Sequence, residues 1–205
     1  MRLLILDPFH GAAGDMITGA LLDCGADRER VVRVMASVVE DPAIDVVDRA
    51  GIRALKVETR ANTSKRTLKE VLEKVRSAGE SPEVLDMAAR VFHRIAAAEE
   101  KIHGECTHFH EVGADDAIAD VLGACTAYHS LDVDGVAIRP LALGGGMISG
   151  SHGKYPAPAP ATLEILSGSD LVVRPGNTDE GELCTPTGAA ILAEFAAVHG
   201  TGMRE

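Results

Sequence analysis

The chain has 205 residues, of which 46% are hydrophobic and 25% are charged, and its formal net charge at pH 7 is −11. Such a chain can bury the core of one large or two small domains without disulfide or metal staples. Its acidity and its 3% aromatic content argue against a nucleic-acid partner, which requires clustered Lys and Arg and aromatic stacking surfaces. No apolar run approaches the roughly 20 residues of a membrane span, and no signal-like segment opens the chain. We therefore expect a cytoplasmic protein with no membrane partner.

Strand-like and helix-like patterns alternate along the first half of the chain. The nearly continuous apolar opening indicates a buried strand, and a polar break after Arg60 separates a hairpin from two helices. In chain order we predict a strand over 2–7, helices over 14–24 and 27–39, a hairpin of strands over 44–48 and 52–60 that turns at Ala50-Gly51, and helices over 67–77 and 82–103.

The second half continues the same alternation. In chain order we predict an extended piece over 108–112, a helix over 114–131, a strand region over 133–143 closed by glycines 144–146, a loop over 148–162, a helix over 161–166, a strand over 171–174 and a helix over 189–198. Alternating strands and helices predict an α/β (or α+β) fold, with a mixed sheet flanked by helices. We expect a single compact domain with a helical insertion over 62–106.

The densest set of ligand-type side chains lies in HFHEVGADDAIAD, residues 108–120. On a strand, His108 and His110 share one face, so both imidazoles can reach a single metal ion. Asp116 and Asp120 lie one turn apart on the helix that follows. Imidazole and carboxylate ligands suit zinc, nickel, iron or manganese. The alternative is an exposed strand edge followed by acids that favour a helix N-terminus.

The opening stretch LDPFHGAAGDM, residues 6–16, is also rich in polar ligands. Asp7 ends the predicted first strand, where open α/β sheets place their ligands, and the glycines over 11–14 allow the backbone to approach an anion at a helix start. The spacing fits neither a phosphate loop nor a dinucleotide fingerprint. The alternative is a tight turn in which Asp15 stabilises the helix start, and Asp7, His10 and Asp15 are also candidates to complete a metal site.

Two later loops contain further candidates. His152 lies in a loop with flanking glycines and Lys154 nearby, which suits a proton carrier, a ligand or an anion contact, as well as an ordinary surface histidine. Thr185 and Thr187 precede the last predicted helix, a position suited equally to capping and to binding phosphate through hydroxyl and amide groups.

Taken together, four motifs resemble those of the LarC family of nickel insertion proteins. The family pattern D-x-F-S-G-x-x-G-D-M matches over 7–16, with His10 where the family usually has Ser. HFHEVGAxDxIxDxxG matches over 108–123, HGxxPxPAPAT over 152–162, and GELxTPTGAA over 181–190, with Cys184 where Thr is common. The resemblance covers nearly the whole chain, from Leu3 to about Phe195.

The resemblance implies a lyase that inserts nickel into pyridinium-3,5-bisthiocarboxylic acid mononucleotide, the precursor of the nickel-pincer cofactor. It implies that the full-length family uses CTP with a divalent cation. The expected partners are the nucleotide precursor, a C-terminal LarC portion and further copies of the chain in a homo-oligomer. The sequence corresponds to the N-terminal portion of the family, which leaves independent catalysis by this portion open.

The resemblance also implies roles for individual residues. We predict that His108, His110 and Glu111 hold the metal, with Asp7, Asp15 and Asp116 as further ligands or as groups that orient them. Residues that contact the substrate and its phosphate are predicted to be Gly11, Gly14, His152, Thr185 and Thr187. No catalytic acid or base is assigned. Two other functions remain open: a metal-dependent hydrolase of phosphorylated substrates, and a nickel-binding or assembly module without turnover.

Overall fold

The computed structural model describes residues 1–49, 51–60, 66–104, 109, 113–150, 153–176 and 179–199. Within these ranges the chain forms seven helices and ten strands, and the strands pair two by two. The predicted α/β class is therefore confirmed. The chain divides into two compact units: the first comprises residues 1–13, 93–106 and 133–205, and the second comprises residues 14–92 and 107–132. The helical insertion within a single domain stays a prediction.

The described elements are mostly short, and α4 contributes residues to both units. Among them, no helix combines the length and apolar character needed to cross a membrane. In chain order the elements are β1 (Leu3–Leu6), α1 (Gly14–Asp23), α2 (Arg28–Ala36), β2 (Glu40–Arg49), β3 (Ile52–Arg60), α3 (Leu68–Arg76), α4 (Pro82–His103), α5 (Asp115–Ser130), β4 (Gly135–Ile138), β5 (Leu141–Ala142), β6 (Gly144–Gly145), β7 (Met147–Gly150), β8 (Gly153–Pro156), α6 (Pro160–Ser167), β9 (Val173–Arg174), β10 (Gly181–Glu182) and α7 (Pro186–His199).

The first unit combines small sheets with packed helices. β1 pairs parallel with β4 and β5 parallel with β9, whereas β6 pairs antiparallel with β10 and β7 antiparallel with β8. Helix α7 contacts α6 and β4, and it buries Ile191 and Phe195 in the core of this unit. The one charged residue of that buried face, Glu194, is 2% exposed and accepts from Arg94 at 3.3 Å. Pairing removes much of the cost of burying this charge.

The second unit is a group of helices packed on the β2–β3 hairpin. Helix α5 contacts α1 and α2, and α1 contacts β3. The contact between α1 and the hairpin depends on Gly19, because a Cβ there would lie 2.5 Å from the carbonyl oxygen of Leu55. At the next helix contact, a Cβ on Gly123 of α5 would lie 2.9 Å from the sulfur of Met35. Small residues therefore set how closely these elements approach.

Several boundaries predicted from the sequence are confirmed. Helix α4 spans the predicted residues, and α3 begins after Thr67, whose hydroxyl accepts from the Glu70 amide while the Glu70 carboxylate accepts from the Thr67 amide. This reciprocal arrangement is a capping box. The predicted hairpin is also confirmed, with Arg49 opposite Ile52 and a positive φ of 81° at Gly51.

Two predictions about strands are wrong. The opening strand is not buried, since Leu3 is 44% and Ile5 is 58% exposed while Leu4 is 6% exposed. Successive side chains of a strand point to opposite faces, and only one face of β1 is covered. The second error concerns the loop over 148–162, which contains the β7–β8 hairpin with Ile148 opposite Tyr155 before α6 begins. Alternating prolines near Tyr155 hid the strand pattern there.

The extended piece over 108–112 lies outside the described residues except for Phe109. This residue forms an isolated antiparallel bridge with Arg66. Its side chain is 1% exposed and its ring centroid lies 6.5 Å from that of Phe92. Phe109 is thus an anchor of the second unit at the centre of the histidine motif.

Replacing Gly19 by Ala should destabilise the chain by about 1 to 2 kcal/mol, because the overpacking against Leu55 exceeds the gain in helix propensity. Urea denaturation followed by circular dichroism measures the change. The matched control is Gly168→Ala, where the nearest atom to the new Cβ lies 3.8 Å away and the change should stay within about 0.5 kcal/mol. Equal stability of the two variants would contradict the packing described for α1.

Candidate functional site

The candidate site residues fall into two groups, one in each unit, and several lie outside the described ranges. We call residues 7–12, 141–144, 174–176 and 181–188 of the first unit the loop cluster. We call Asp15, Asp116 and Asp120 of the second unit the acidic cluster. The predicted ligands His108, His110 and Glu111 lie outside the described residues, as does the predicted substrate contact His152.

In the loop cluster, the opening motif and the GELCTPTG motif meet through their backbones. The Ala12 amide donates to the carbonyl of Leu183 at 3.0 Å, and the Thr185 amide donates to the carbonyl of Ala12 at 3.0 Å. These two hydrogen bonds form an isolated parallel bridge between Ala12 and Cys184. The structure therefore brings together two of the four motifs recognised in the sequence.

Glycines allow this close approach. A Cβ on Gly11, whose φ is +89°, would lie 1.9 Å from the carbonyl oxygen of Leu183. A Cβ on Gly188 would lie 2.1 Å from the carbonyl oxygen of Ala12. A side chain at either position would force the two motifs apart, so Gly11 has a packing role in addition to the phosphate contact that remains predicted for it.

The start of α7 is closed by Thr185. Its hydroxyl accepts from the Gly188 amide at 3.1 Å, and Pro186 occupies the first helical position. This is the N-cap arrangement that the sequence allowed for Thr185. The half-buried Thr187 has no side-chain hydrogen bond to any residue that the structure describes.

Two side chains of the loop cluster, those of Asp7 and Cys184, could in principle bind a metal ion, but they differ in exposure and in protonation. Asp7 is exposed and lies 3.5 Å from the guanidinium of Arg139, so a metal ion there would compete with this ion pair. Cys184 is fully buried, and burial together with the charge of Glu182 raises the pKa of its thiol to about 12. At neutral pH this thiol is protonated and is a poor metal ligand.

The acidic cluster joins the first turn of α1 to the first two turns of α5. Gly14 permits the approach, because a Cβ there would lie 2.6 Å from the Cβ of Asp120. The Asp120 carboxylate accepts from the backbone amide of Asp15. Its Oδ1 atom is buried and has no hydrogen-bond partner among the described residues.

Burial and, to a smaller extent, the charges of Asp15 and Asp116 raise the pKa of Asp120 to about 7, and the hydrogen bond from the Asp15 amide offsets only part of this rise. The cluster is therefore a site of concentrated negative charge that a proton or a cation would relieve. No three His, Cys, Asp or Glu side chains in the described ranges are arranged to hold a metal ion.

Arg66 and Asp115 frame the histidine motif, a role that sequence reasoning missed. The Arg66 carbonyl accepts from the Phe109 amide at 2.9 Å, and its guanidinium donates to the Gly113 carbonyl at 2.7 Å. Asp115 accepts from Arg66 and, at 2.6 Å, from Lys74. Burial alone would raise the pKa of Asp115, but these hydrogen bonds outweigh it and lower the pKa. Charge pairs between segments distant in sequence leave no periodic pattern from which they could be predicted.

Replacing Asp120 by Asn should remove a pH-dependent loss of stability. The folded-state pKa of about 7 lies above the ordinary value of 3.8, so the folded chain binds this proton more tightly than the unfolded chain. The stability contributed by that proton is complete below the ordinary pKa and is lost as pH rises to about 7. The stability of Asp120→Asn relative to the unmodified chain should increase over this interval by about 4 kcal/mol, since each unit of pKa difference corresponds to about 1.4 kcal/mol.

Denaturation at a series of pH values measures this difference. The control Asp170→Asn replaces an exposed carboxylate outside the acidic cluster. A difference between Asp120→Asn and the unmodified chain that does not change with pH would contradict the described environment of Asp120.

Replacing Thr185 by Ala should lower the free energy of unfolding by about 1 kcal/mol, because the Gly188 amide loses its acceptor. Thermal or urea unfolding measures the loss, and Thr185→Ser should restore most of it. Thr187→Ala is the neighbouring control and should have less than about half of that effect. If the two alanine variants were equally stable, Thr185 would not be the cap of α7.

Comparison with known proteins places these motifs in context. The family model described as "Nickel insertion protein" matches residues 4–204. Relatives that bear the name "Putative nickel insertion protein" include one from Methanococcoides burtonii, 44% identical over 202 residues that cover 96% of this chain and 50% of the relative. One from Methanosarcina barkeri is 45% identical over 203 residues, covering 96% of this chain and 51% of the relative. One from Archaeoglobus fulgidus is 44% identical, covering 95% of this chain and 51% of the relative.

The chain thus spans about half the length of these curated relatives. No solved structure matches it.

Proposed function

This chain belongs to the nickel insertion protein family, and on that premise we propose that it forms the nickel-binding part of a chelatase. The proposed acceptor of nickel is pyridinium-3,5-bisthiocarboxylic acid mononucleotide, as implied by the resemblance to the LarC family. In this proposal nickel is the substrate, and it leaves the protein to bind the sulfur atoms and a carbon atom of the precursor. The nickel–carbon bond would replace a carbon–hydrogen bond, whose proton is released.

The observation that carries the proposal is the acidic cluster at the start of α5, directly after the histidine motif. Asp15 and Asp116 face a carboxylate that is already buried, that of Asp120, and the three negative charges disfavour one another. A divalent cation nearby would relieve this repulsion. Oxygen and imidazole nitrogen donors suit nickel, and their number and openness suit a site that must also release it.

We assign the nickel ligands to His108, His110 and Glu111, with Asp15 and Asp116 as further ligands or as groups that orient them. Arg66 supports this assignment through its contacts with Phe109 and Gly113, the described residues on either side of His110 and Glu111. Asp7 is a weaker candidate because Arg139 already pairs with it.

We propose that the anionic precursor binds near the loop cluster. The positive end of the α7 dipole lies there, and the hydroxyl of Thr187 is available to accept or donate a hydrogen bond. Gly11, Thr185 and His152 complete the proposed set of contacts in the first unit, and Gly14, at the start of α1 in the second unit, stays a predicted contact. These residues would position the phosphate of the precursor, while the ring that receives nickel extends away from it.

The remaining parts of the proposal concern the longer protein. We propose that CTP with a divalent cation is used by the full-length chelatase, a lyase of the cytoplasm. Its partners would be the precursor, the C-terminal LarC portion and further copies of the same chain.

The double variant His108→Ala, His110→Ala should weaken nickel binding by at least about tenfold, because two of the proposed ligands are lost. Isothermal titration of nickel into the chain measures the affinity. The matched control is the double variant His93→Ala, His103→Ala, which removes two histidines of α4 and should bind nickel as the unmodified chain does. Unchanged affinity in the first double variant would contradict the assignment of the metal site.

Adding the precursor, CTP and the C-terminal portion separates the possible functions. Nickel transfer to the precursor, followed by its absorption spectrum and by mass spectrometry, is the result expected of a chelatase. Phosphate release without transfer would instead support the hydrolase, and nickel binding alone would support a module without turnover.

A further inference from the structure

Phe9 is an exposed aromatic side chain in a protein that buries its other phenylalanines. The chain has four phenylalanines, and Phe92, Phe109 and Phe195 are at most 1% exposed. Phe9 is 57% exposed. Leaving a ring of this size in water forgoes the free energy that burial would provide, so the core gains little from its position.

The backbone holds Phe9 in a defined place at the edge of the loop cluster. The Phe9 amide donates to the carbonyl of Asp7 at 2.7 Å, and the carbonyl of the buried Pro8 accepts from the Ala142 amide at 3.2 Å. Three residues further along, Ala12 exchanges hydrogen bonds with Leu183 and Thr185, in the segment between β10 and α7. The ring is therefore exposed on a fixed loop.

Arg174 covers part of this ring. Its guanidinium carbon lies 4.6 Å from the ring centroid, and its Nη2 atom donates to the carbonyl of Phe9. β9 pairing opposite Ala142 of β5 fixes the Arg174 backbone. Within the described part of the chain no carboxylate pairs with Arg174, so its positive charge and its other N–H groups are available to a ligand.

We propose that Phe9 and Arg174 form a binding site for an aromatic ring that carries an anionic group. The ring of the ligand would stack on the exposed surface of Phe9, where offset or edge contacts between aromatic rings are favourable. Its phosphate or carboxylate would accept hydrogen bonds from the guanidinium fork of Arg174, a geometry suited to both anions.

This inference rests on the proposed function and deepens it, since the proposed precursor is such a ligand. His10 contributes to the same surface, because its ring meets that of Phe9 edge-on, with centroids 4.7 Å apart and planes at 85°. The imidazole thus limits how far a bound ring can extend along the loop.

Nicotinic acid mononucleotide, which has a pyridinium ring and a phosphate, is a suitable probe of the site, and ribose 5-phosphate is the matched probe without an aromatic ring. Titration of each into the nickel-free chain, followed by NMR, gives both affinity and ring-current shifts. We expect the mononucleotide to bind at least fivefold more tightly than ribose 5-phosphate, with upfield shifts of its ring protons.

Phe9→Leu should remove this preference and leave the affinity for ribose 5-phosphate unchanged, whereas Phe9→Tyr should retain the preference. Arg174→Gln should weaken both probes at least fivefold, and Arg174→Lys should restore only part of the loss. The control Arg28→Gln alters an arginine of the second unit and should leave both affinities unchanged. Since Phe9 and Arg174 are surface residues, circular dichroism should confirm that these variants remain folded.

The proposal is overturned if the unmodified chain shows no preference for the mononucleotide, if its ring protons do not shift, or if Phe9→Leu and Arg174→Gln bind both probes normally. Nickel affinity, measured separately without a nucleotide, distinguishes failure of the ring-binding site from failure of the proposed function. Loss of the ring preference with normal nickel binding would overturn this inference alone. Ring binding by a chain that does not bind nickel would overturn the proposed function and leave the ring site in place.

Discussion

The close approach of Asp120 to Gly14 is the constraint on which the candidate metal site depends. Because Gly14 has no side chain, the first turn of α1 can lie against α5, and the amide of Asp15 can donate to the Asp120 carboxylate. The Thr18 hydroxyl of α1 reaches the same junction, since it donates to the Gly14 carbonyl at 2.9 Å within the helix and lies 3.4 Å from the carbonyl of Asp120 in α5. The geometry that orders the two helices also gathers three carboxylates whose negative charges disfavour one another. The described side chains alone are not arranged to hold a metal ion, so the proposed site depends on the adjacent histidine motif.

In the first unit, an equivalent role belongs to the bridge between Ala12 and Cys184. It places the loop after β1 beside the capped start of α7, with Gly11 and Gly188 allowing the backbones to touch. The buried part of α7 supports this arrangement through apolar packing and through the pair between Glu194 and Arg94. A rigid helix start beneath a fixed loop is a suitable foundation for binding an anionic ligand.

Local structure could be predicted well from the sequence where local chemistry decides it. The cap at Thr67, the proline that begins α4 and the turn at Gly51 act within a few residues, and the boundaries they set agree with the structure. Burial of β1 was predicted wrongly because an apolar run does not reveal whether one face or both faces of its strand are covered by other elements. The β7–β8 hairpin was missed because prolines near Tyr155 suggested an extended loop.

In the candidate site, too, features that depend on local sequence could be predicted and features that depend on the tertiary fold could not. The sequence motifs contain the acids that meet at α5 and the two segments that meet at Ala12, but their spacing did not predict which of them would be neighbours. The reason why glycine occupies positions 11 and 14 was only partly predictable. Gly11 and Gly14 are required by close contacts with Leu183 and Asp120, which depend on the tertiary fold. Arg66 and Arg174 had no sequence signal, because their partners are brought to them by folding. The histidines of the 108–112 segment remain a prediction from spacing and resemblance.

The central claim is that nickel is bound where the histidine motif meets the acidic cluster. An anomalous-difference map, recorded on both sides of the nickel absorption edge from a crystal of the nickel-loaded chain, tests it most directly. The account predicts a single strong peak within bonding distance of the imidazoles of His108 and His110, on the side of Asp15 and Asp116. A peak bound only by other residues, with none at these imidazoles, would contradict it.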